Sequence, residues 1–382
     1  MPRYRRLLLA ATVLAFGVIS LGAYVRLSDA GLGCPDWPGC YGHWLGVPDQ
    51  AHEQLAASQA YPERPVETAK AWKEMVHRYF AGTLGLLILG IFLYAWRADS
   101  RRTRSPALPT LLLVTVLLQA ALGMWTVTLL LKPMIVTLHL LGGMFTLALL
   151  LTLLLGDARP ASMQVSGKWL RPLAALALIL VICQIALGGW VSSNYAALAC
   201  PDFPLCQGQW RPSMDFAQAF TLRRELGHTG DGRLLSSEAL TAIHWSHRLG
   251  ALAVLLSVAT LALALLASTW PGGHFWGCSL LGLLALQLGI GIANVLFALP
   301  LALAVAHNLG AAALLSATLA INIRLHQTKS PWQDKLQGLD TRVASQGMDT
   351  LSQIEAVKGE LAKLRGQLEE QAHAIETTQK RQ

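Results

Sequence analysis

The sequence predicts an all-α polytopic membrane protein, with eight transmembrane helices as two pseudo-symmetric four-helix bundles and a soluble helical tail. Three observations predict it. Of 382 residues, 53% are hydrophobic and 14% charged, whereas a soluble domain carries about a quarter charged residues. The apolar residues gather into runs of membrane-spanning length. The chain also repeats itself: "CPDWPGC" at 34–40 returns as "CPDFPLC" at 200–206.

About 20 residues at ~1.5 Å rise cross a ~30 Å hydrocarbon core. Leu7–Val25, Phe80–Trp96, Ala107–Leu131, Ile135–Leu155, Leu173–Val191 and Leu249–Ala267 are long enough. Phe275–Ile323 is too long for one span and breaks at "ALPLA" around Pro300, which gives eight spans. Lipid offers backbone polar groups no partners, so a closed helix bundle follows. The first run follows "PRYRR" as a signal peptide would. It lacks an A-x-A site and exceeds the usual h-region, so it reads as a retained span.

Lys and Arg in short segments set the orientation. Arg3, Arg5 and Arg6, then Arg97, Arg101, Arg102 and Arg104, then Arg159, Lys168 and Arg171 all fall on one side if the N-terminus is cytoplasmic. Eight spans return the C-terminus to that side. The long loops, roughly 26–73 and 192–240, then lie outside. The net charge of +8 reflects this bias and requires no nucleic-acid partner.

Offset by about 168 residues, the halves match. "GAYVRLSDAGLGCPDWPGC" faces "GGWVSSNYAALACPDFPLC", and "EMVHRYFAGTLGLLI" faces "AIHWSHRLGALAVLL". Gln119, Gly123 and His139 face Gln287, Gly291 and His307. The units are residues 1–156 and 157–325, with 326–382 as a tail. An even number of spans per unit gives a parallel repeat, with its axis along the membrane normal.

The cysteine heptapeptides are one loop, duplicated. On an oxidising outer face they favour disulfides. Each ancestral unit had to fold alone, which pairs Cys34 with Cys40 and Cys200 with Cys206. A loop staple and a redox-active pair are both open readings. Cys183 and Cys278 lie inside spans and read as small apolar packing residues.

Five of the 11 histidines lie in or at the start of spans: His77, His139, His244, His247 and His307. A single one is as well explained as a hydrogen-bonded core residue, but ionisable groups at membrane depth are costly and mark function. Each even-numbered span carries one of His77, His139, His247 and His307, about 6–13 Å below the outer surface at helical rise. Two imidazoles from two helices per half can clamp a planar cofactor. Zinc prefers three or four ligands at one point, so bis-imidazole haem iron fits better. "LGG" at 141–143 and 187–189 allows close helix packing or leaves room for a flat ring. The C-x-x-C-H motif is absent from the sequence, so any haem is non-covalent.

The halves differ at one informative place. Glu74 lies three residues before His77, and its counterpart before His247 is His244. A carboxylate there either caps a helix N-terminus or handles protons and positive charge at a haem edge. The second reading predicts one catalytic half and one electron-transfer half. Arg78 and Arg248 follow the ligand histidines, either to pair with haem propionates or to snorkel toward the interface.

On Glu74, His77, His139, His247, His307, Cys34, Cys40, Cys200 and Cys206, the sequence resembles the haem A synthase family across residues 1–325 or so. The resemblance implies oxidation of the C8 methyl of haem O to the formyl of haem A for terminal oxidases. It implies a haem b cofactor, its iron on His247 and His307, and a substrate site of His77, His139 and Glu74. It also implies a bacterial inner membrane location, haem O synthase as a partner, and a membrane electron acceptor or donor. A di-haem b-type electron carrier and a haem transporter are the alternative functions.

Residues 326–382 lie outside that resemblance. Residues 326–350 read as a flexible linker. Ile354, Val357, Leu361, Leu364, Leu368, Gln371 and Ile375 then alternate at three and four residues, a coiled-coil pattern. Gly359 and Gly366 weaken such a helix by about 1 kcal/mol each, so a lone amphipathic helix is the alternative. A homo-oligomer is expected, with 354–375 as its candidate contact.

Overall fold

The computed structural model describes residues 3–97, 105–156, 169–326, 339 and 351–379. Eight of its helices are long and apolar enough to cross a membrane. They are α1 (Arg3–Leu27), α2 (Thr68–Ala95), α3 (Ala107–Thr128), α4 (Pro133–Gly156), α5 (Leu170–Ser193), α6 (Ser237–Leu266), α7 (Gly273–Leu296) and α8 (Leu301–His326). A further helix, α9 (Leu351–Gln379), belongs to a separate unit. Among the described residues there are no strands, only isolated bridges in the loops. The protein is a multi-pass membrane protein. The cationic residues Arg101, Arg102, Arg104, Arg159 and Lys168 lie outside the described residues, as does nearly all of the expected linker.

The spans are apolar on every side, the signature of a helix without a water-facing stripe. Leucines such as Leu86, Leu117 and Leu256 point outward, while Ala11, Ala15, Ala174, Ala177, Ala262 and Ala312 are buried. Small residues inside let the helices approach closely where no hydrophobic effect drives them together.

Helices α2 and α6 begin twelve residues before the apolar runs that announce them. Hydropathy fades there because the first turns carry Glu74, His77 and Arg78, or His244, His247 and Arg248. The helix persists because those side chains find partners in the bundle and the loop above. Ser236 caps α6 by accepting the Ala239 N–H at 3.2 Å.

Each half is a ring of four helices. Helices α1 and α3 each pack against both α2 and α4, and α5 and α7 each against both α6 and α8. Among the described residues α2 has no packed interface with α4, nor α6 with α8. The histidine-bearing helices are therefore diagonal partners across each ring. The rings meet through α1 on α8, α4 on α5 and α4 on α8. Exchanging α1 with α5 and α4 with α8 maps this set onto itself. Arg26 ties the loop-bearing ends together: it donates to the Ser192 carbonyl at 2.7 Å and stacks 4.1 Å from the Tyr195 ring centroid.

Each long loop folds over its ring on a small core of its own. One core gathers Cys34, Cys40, Tyr41, Val47, Ala57, Ala71 and Met75, the other Trp190, Val191, Ala196, Ala219, Ala239, Ala242 and Ile243. Disulfides join Cys34 to Cys40 and Cys200 to Cys206. The aspartate of each "CPD" closes the turn after the second cysteine. Asp36 accepts the Tyr41 and Gly42 N–H groups at 2.6 and 2.8 Å, and Asp202 those of Gln207 and Gly208 at the same distances.

Peptide mapping under non-reducing conditions is expected to give only the two intraloop crosslinks. A peptide joining residue 34 or 40 to residue 200 or 206 would contradict the fold. Replacing either pair by serine is expected to cost roughly 2–3 kcal/mol at most, because the closed ring is short.

Candidate functional site

The four ligand histidines sit in four copies of one local arrangement. Each imidazole lies edge-on against a glycine of the preceding span. A Cβ added at Gly22, Gly123, Gly188 or Gly291 would stand 3.0, 3.3, 3.1 or 3.0 Å from Cε1 of His77, His139, His247 or His307. Any side chain there would push the ring aside, so glycine is what admits an imidazole between two packed helices. The sequence repeat already contained two of these Gly–His pairs. Their packing role was not legible from spacing.

His77 and His139 approach closely enough for their charges to interact, and so do His247 and His307. Each pair comes from diagonal helices, with each ring on the seam between its own helix and the span before it. They lie deep in the bundle yet keep part of their surface accessible. The Nδ1 atoms of His77, His139 and His307 are buried without a hydrogen bond of standard geometry. A main-chain carbonyl of the preceding span, that of Val18, Gln119 or Gln287, stands beside each. A metal-bound imidazole uses such a carbonyl for its Nδ1–H and leaves Nε2 to ligate.

These residues fit a bis-imidazole haem iron in each ring: two imidazoles on diagonal helices, a glycine beside each, and an Nδ1 without a standard hydrogen bond on His77, His139 and His307, while the Gln184 amide nitrogen lies 3.0 Å from Nδ1 of His247. Among the described residues no three His, Cys, Asp or Glu side chains gather into a metal cage, so a zinc-type centre does not fit.

Above each clamp the disulfide loop is fastened to the ligand helix. Glu74 is buried, accepts the Cys34 N–H at 3.0 Å and pairs with Arg78. Arg78 also donates to the carbonyls of Asp36, Pro38 and Gly39. Arg248 does the same to Cys200, Asp202 and Leu205 at 2.9, 2.8 and 2.7 Å. Neither arginine snorkels; both turn inward to the loop. Glu74 is no helix cap either, because α2 begins at Thr68 and the N–H it accepts belongs to the loop. Hydrogen bonds to charged groups contribute about 1.5–3 kcal/mol each, so this clasp fixes the loop over the clamp.

His244 occupies the place of Glu74 but does the work less well. The Cys200 N–H faces its Nδ1 and the Arg248 Nε–H faces its Nε2, each at 3.3 Å. A neutral imidazole has one acceptor nitrogen, so it satisfies one donor of the two. A carboxylate satisfies both and adds a negative charge beside its clamp. The halves therefore share their scaffold and differ in charge beside the clamp. Cys183 and Cys278 are free cysteines exposed on the surface of their helices rather than packed inside.

Two sets of residues carry the arrangement without having been singled out for it. Asp36 and Asp202 shape the loops. Gln184 and Gln287 donate from Nε2 to the carbonyls of His247 and His307, both at 2.9 Å. The repeat held the signal for both, since the aspartates and Gln287 recur in matched places.

The second loop is expected to loosen in acid. The Gly208 N–H, then that of Gln207, holds the Asp202 carboxyl below its ordinary value. A depressed folded pKa adds stability above the unfolded value of about 3.9. That stability is lost as pH falls through the folded value. Reduction of Cys200–Cys206 by a phosphine is expected to speed up below about pH 4. The Asp202→Asn protein should react at the fast rate throughout. A wild-type rate unchanged between neutral pH and about pH 3 would contradict the role of Asp202.

Residues 5–319 match the family model described as cytochrome oxidase assembly protein, and residues 332–382 that described as TolA binding protein trimerisation. A haem A synthase of Shewanella oneidensis is 46% identical over 319 residues, 82% of this chain and 94% of that protein. That of Halalkalibacterium halodurans is 28% identical over 256 residues, 64% and 78% of the two chains. That of Nitrosospira multiformis is 27% identical over 344 residues, 84% and 92%. With its eight spans, twinned histidine clamps and these relatives, the chain belongs to the cytochrome oxidase assembly protein family, among the haem A synthases.

Proposed function

We propose that the chain is an oxidoreductase that converts haem O to haem A, oxidising the C8 methyl group to a formyl group for terminal oxidases. The observation that carries this reading is one clamp built twice, with a buried carboxylate beside the first copy only. His247 and His307 would hold a haem b, which when bound would supply one-electron redox chemistry. His77 and His139 hold the substrate haem O and orient its methyl edge toward Glu74. Relatives named haem A synthase support the assignment of the reaction.

Taking a methyl to a formyl with oxygen from water follows R–CH3 + H2O → R–CHO + 4 H+ + 4 e−. The reaction therefore needs a membrane electron acceptor, and its substrate comes from haem O synthase. Glu74 favours positive charge developing at the methyl carbon and takes up protons leaving it. Its bonds to the Cys34 N–H and Arg78 fix where that charge acts. In the bacterial cell membrane both termini face the cytoplasm and the cysteine loops the outer side. The arginines at 3, 5 and 6 favour that orientation.

The tail is proposed to join copies of the chain. With Leu361, Leu368 and Ile375 at heptad position a and Val357, Leu364 and Gln371 at d, both glycines fall at the outermost position f. Leu361, Leu368 and Ile375 are exposed on α9. In a parallel arrangement Glu360 of one copy faces Arg365 of the next, while an antiparallel one brings Lys358 and Arg365 against like charges. Copies inserted the same way in one bilayer are parallel, and the match to a trimerisation family favours three.

Co-expression with haem O synthase, followed by extraction of the pigment, tests the reaction. Haem A or its hydroxylated intermediate is expected; haem B alone would instead favour an electron carrier. His247→Ala or His307→Ala should remove the stably bound haem b. His77→Ala or His139→Ala should abolish product and leave that haem in place. Glu74→Gln should lower turnover by about 10²-fold or more, the range of a positioned acid–base group, with haem b retained. The reverse pattern among the histidine variants would reverse the assignment.

For the tail, Glu360→Arg should lower the mass of the detergent-solubilised protein, and Glu360→Arg with Arg365→Glu should restore it. A mass unaffected by either change would contradict the tail contact.

A further inference from the structure

Three of the four ligand histidines share a second device that the fourth lacks. Four residues before the glycine that cradles the ring stands Gln119, Gln184 or Gln287, and three residues after the histidine stands Gly142, Gly250 or Gly310. The amide lies in the groove that this second glycine opens. A Cβ at Gly142, Gly250 or Gly310 would stand 1.7, 2.2 or 2.1 Å from the nearest amide atom. At His247 and His307 the amide nitrogen also donates to the histidine's own main-chain carbonyl at 2.9 Å. At His77 the corresponding residues are Val18 and Phe80. Val18 has no polar side-chain atom, and Phe80 is 45% exposed, turned out of the groove.

A glutamine laid across two helices fixes the register between the ligand helix and the span that cradles it. Sliding or turning the ligand helix breaks that hydrogen bond at His247 and His307, where no water replaces it, and at His139 drives the backbone at Gly142 against the Gln119 amide. His77 rests against Gly22 and beside the Val18 carbonyl with no glutamine laid across its helix, and that contact yields to small shifts at less cost. An enzyme whose substrate and product are both haems needs one clamp that opens and one that stays shut. The missing lock falls in the first-half clamp, on one of its two ligands.

We propose that Gln119, Gln184 and Gln287 are positioning residues that lock three ligand histidines. His77, lacking such a lock, is the ligand that releases to admit substrate haem and discharge product haem. The step breaks one iron–nitrogen bond, transfers no electrons, and leaves the haem attached to His139 while His77 swings away. The inference rests on the assignment of the first-half clamp to substrate made above.

The test installs the lock where it is missing. Val18→Gln with Phe80→Gly rebuilds the arrangement of the other three positions. In the reduced protein purified with haem O, carbon monoxide is expected to bind at the first-half haem by displacing His77. The double variant should bind it about tenfold more slowly, the equivalent of one net hydrogen bond, and keep more haem O through purification. Gln184→Leu and Gln287→Leu should lower the haem B retained per chain and make that haem reactive to carbon monoxide.

Equal carbon monoxide rates in wild type and double variant, at equal melting temperature, would overturn the release role of His77. If the double variant fails to fold, the glutamine variants decide: haem B held as tightly as in wild type and inert to carbon monoxide overturns the lock. His77→Ala and His247→Ala run alongside. Loss of haem B from the first, not the second, would mean that the site assignment has failed and not the lock.

Discussion

The contact on which the rest depends is an imidazole edge against a glycine, made four times. Two packed helices leave no space for a histidine ring unless one of them gives up its side chain. Gly22, Gly123, Gly188 and Gly291 do so, and that fixes where each ring lies and how its two spans pack. Because the ligand helices are diagonal in each ring, the two imidazoles of a pair lie on separate helix seams. A flat macrocycle held by both is the occupant proposed for each ring. In the bilayer no solvent competes for these groups, so the positions of carbonyls and amides around each ring carry more weight than they would at a wet surface.

The loops extend that logic outward. A duplicated disulfide turn is closed by an aspartate and pinned by an arginine one residue past a ligand histidine. Arg78 and Arg248 thereby connect the ligand helices to the disulfide loops. Glu74 belongs to this clasp and also puts a charge beside the first clamp. Its structural role and the chemical role proposed for it use the same buried carboxylate, since the bonds that hold the loop also orient the oxygens. His244 shows what the clasp needs at minimum: one acceptor is enough to hold a loop, and the second half manages with it.

Much of the fold was legible in the sequence, because hydropathy and repeat both operate at the length of a span. Eight spans and the pairing of their histidines follow from apolar runs and from matching the two halves. The ends of α2 and α6 did not follow, since their first turns are polar for reasons that lie in the loops above. The character of Arg78 and Arg248 was missed for the same reason: interfacial arginines usually reach for water, and here carbonyls of a folded loop offer better partners. Glycine at 188 or 250 reads from sequence as generic helix packing. Only coordinates separate a glycine that admits an imidazole from one that admits a glutamine amide. Val18 and Phe80 were invisible as a departure until the other three copies had shown what they depart from.

The central claim is that one clamp was built twice and that only the copy beside Glu74 handles substrate. The most direct measurement is an experimental density map of the protein loaded with both haem b and haem O. The account predicts one iron between His247 and His307 and a second between His77 and His139. The farnesylated haem should sit in the first-half clamp with its C8 methyl edge toward Glu74. A farnesylated haem between His247 and His307, or an iron held by any other pair of residues, would contradict it.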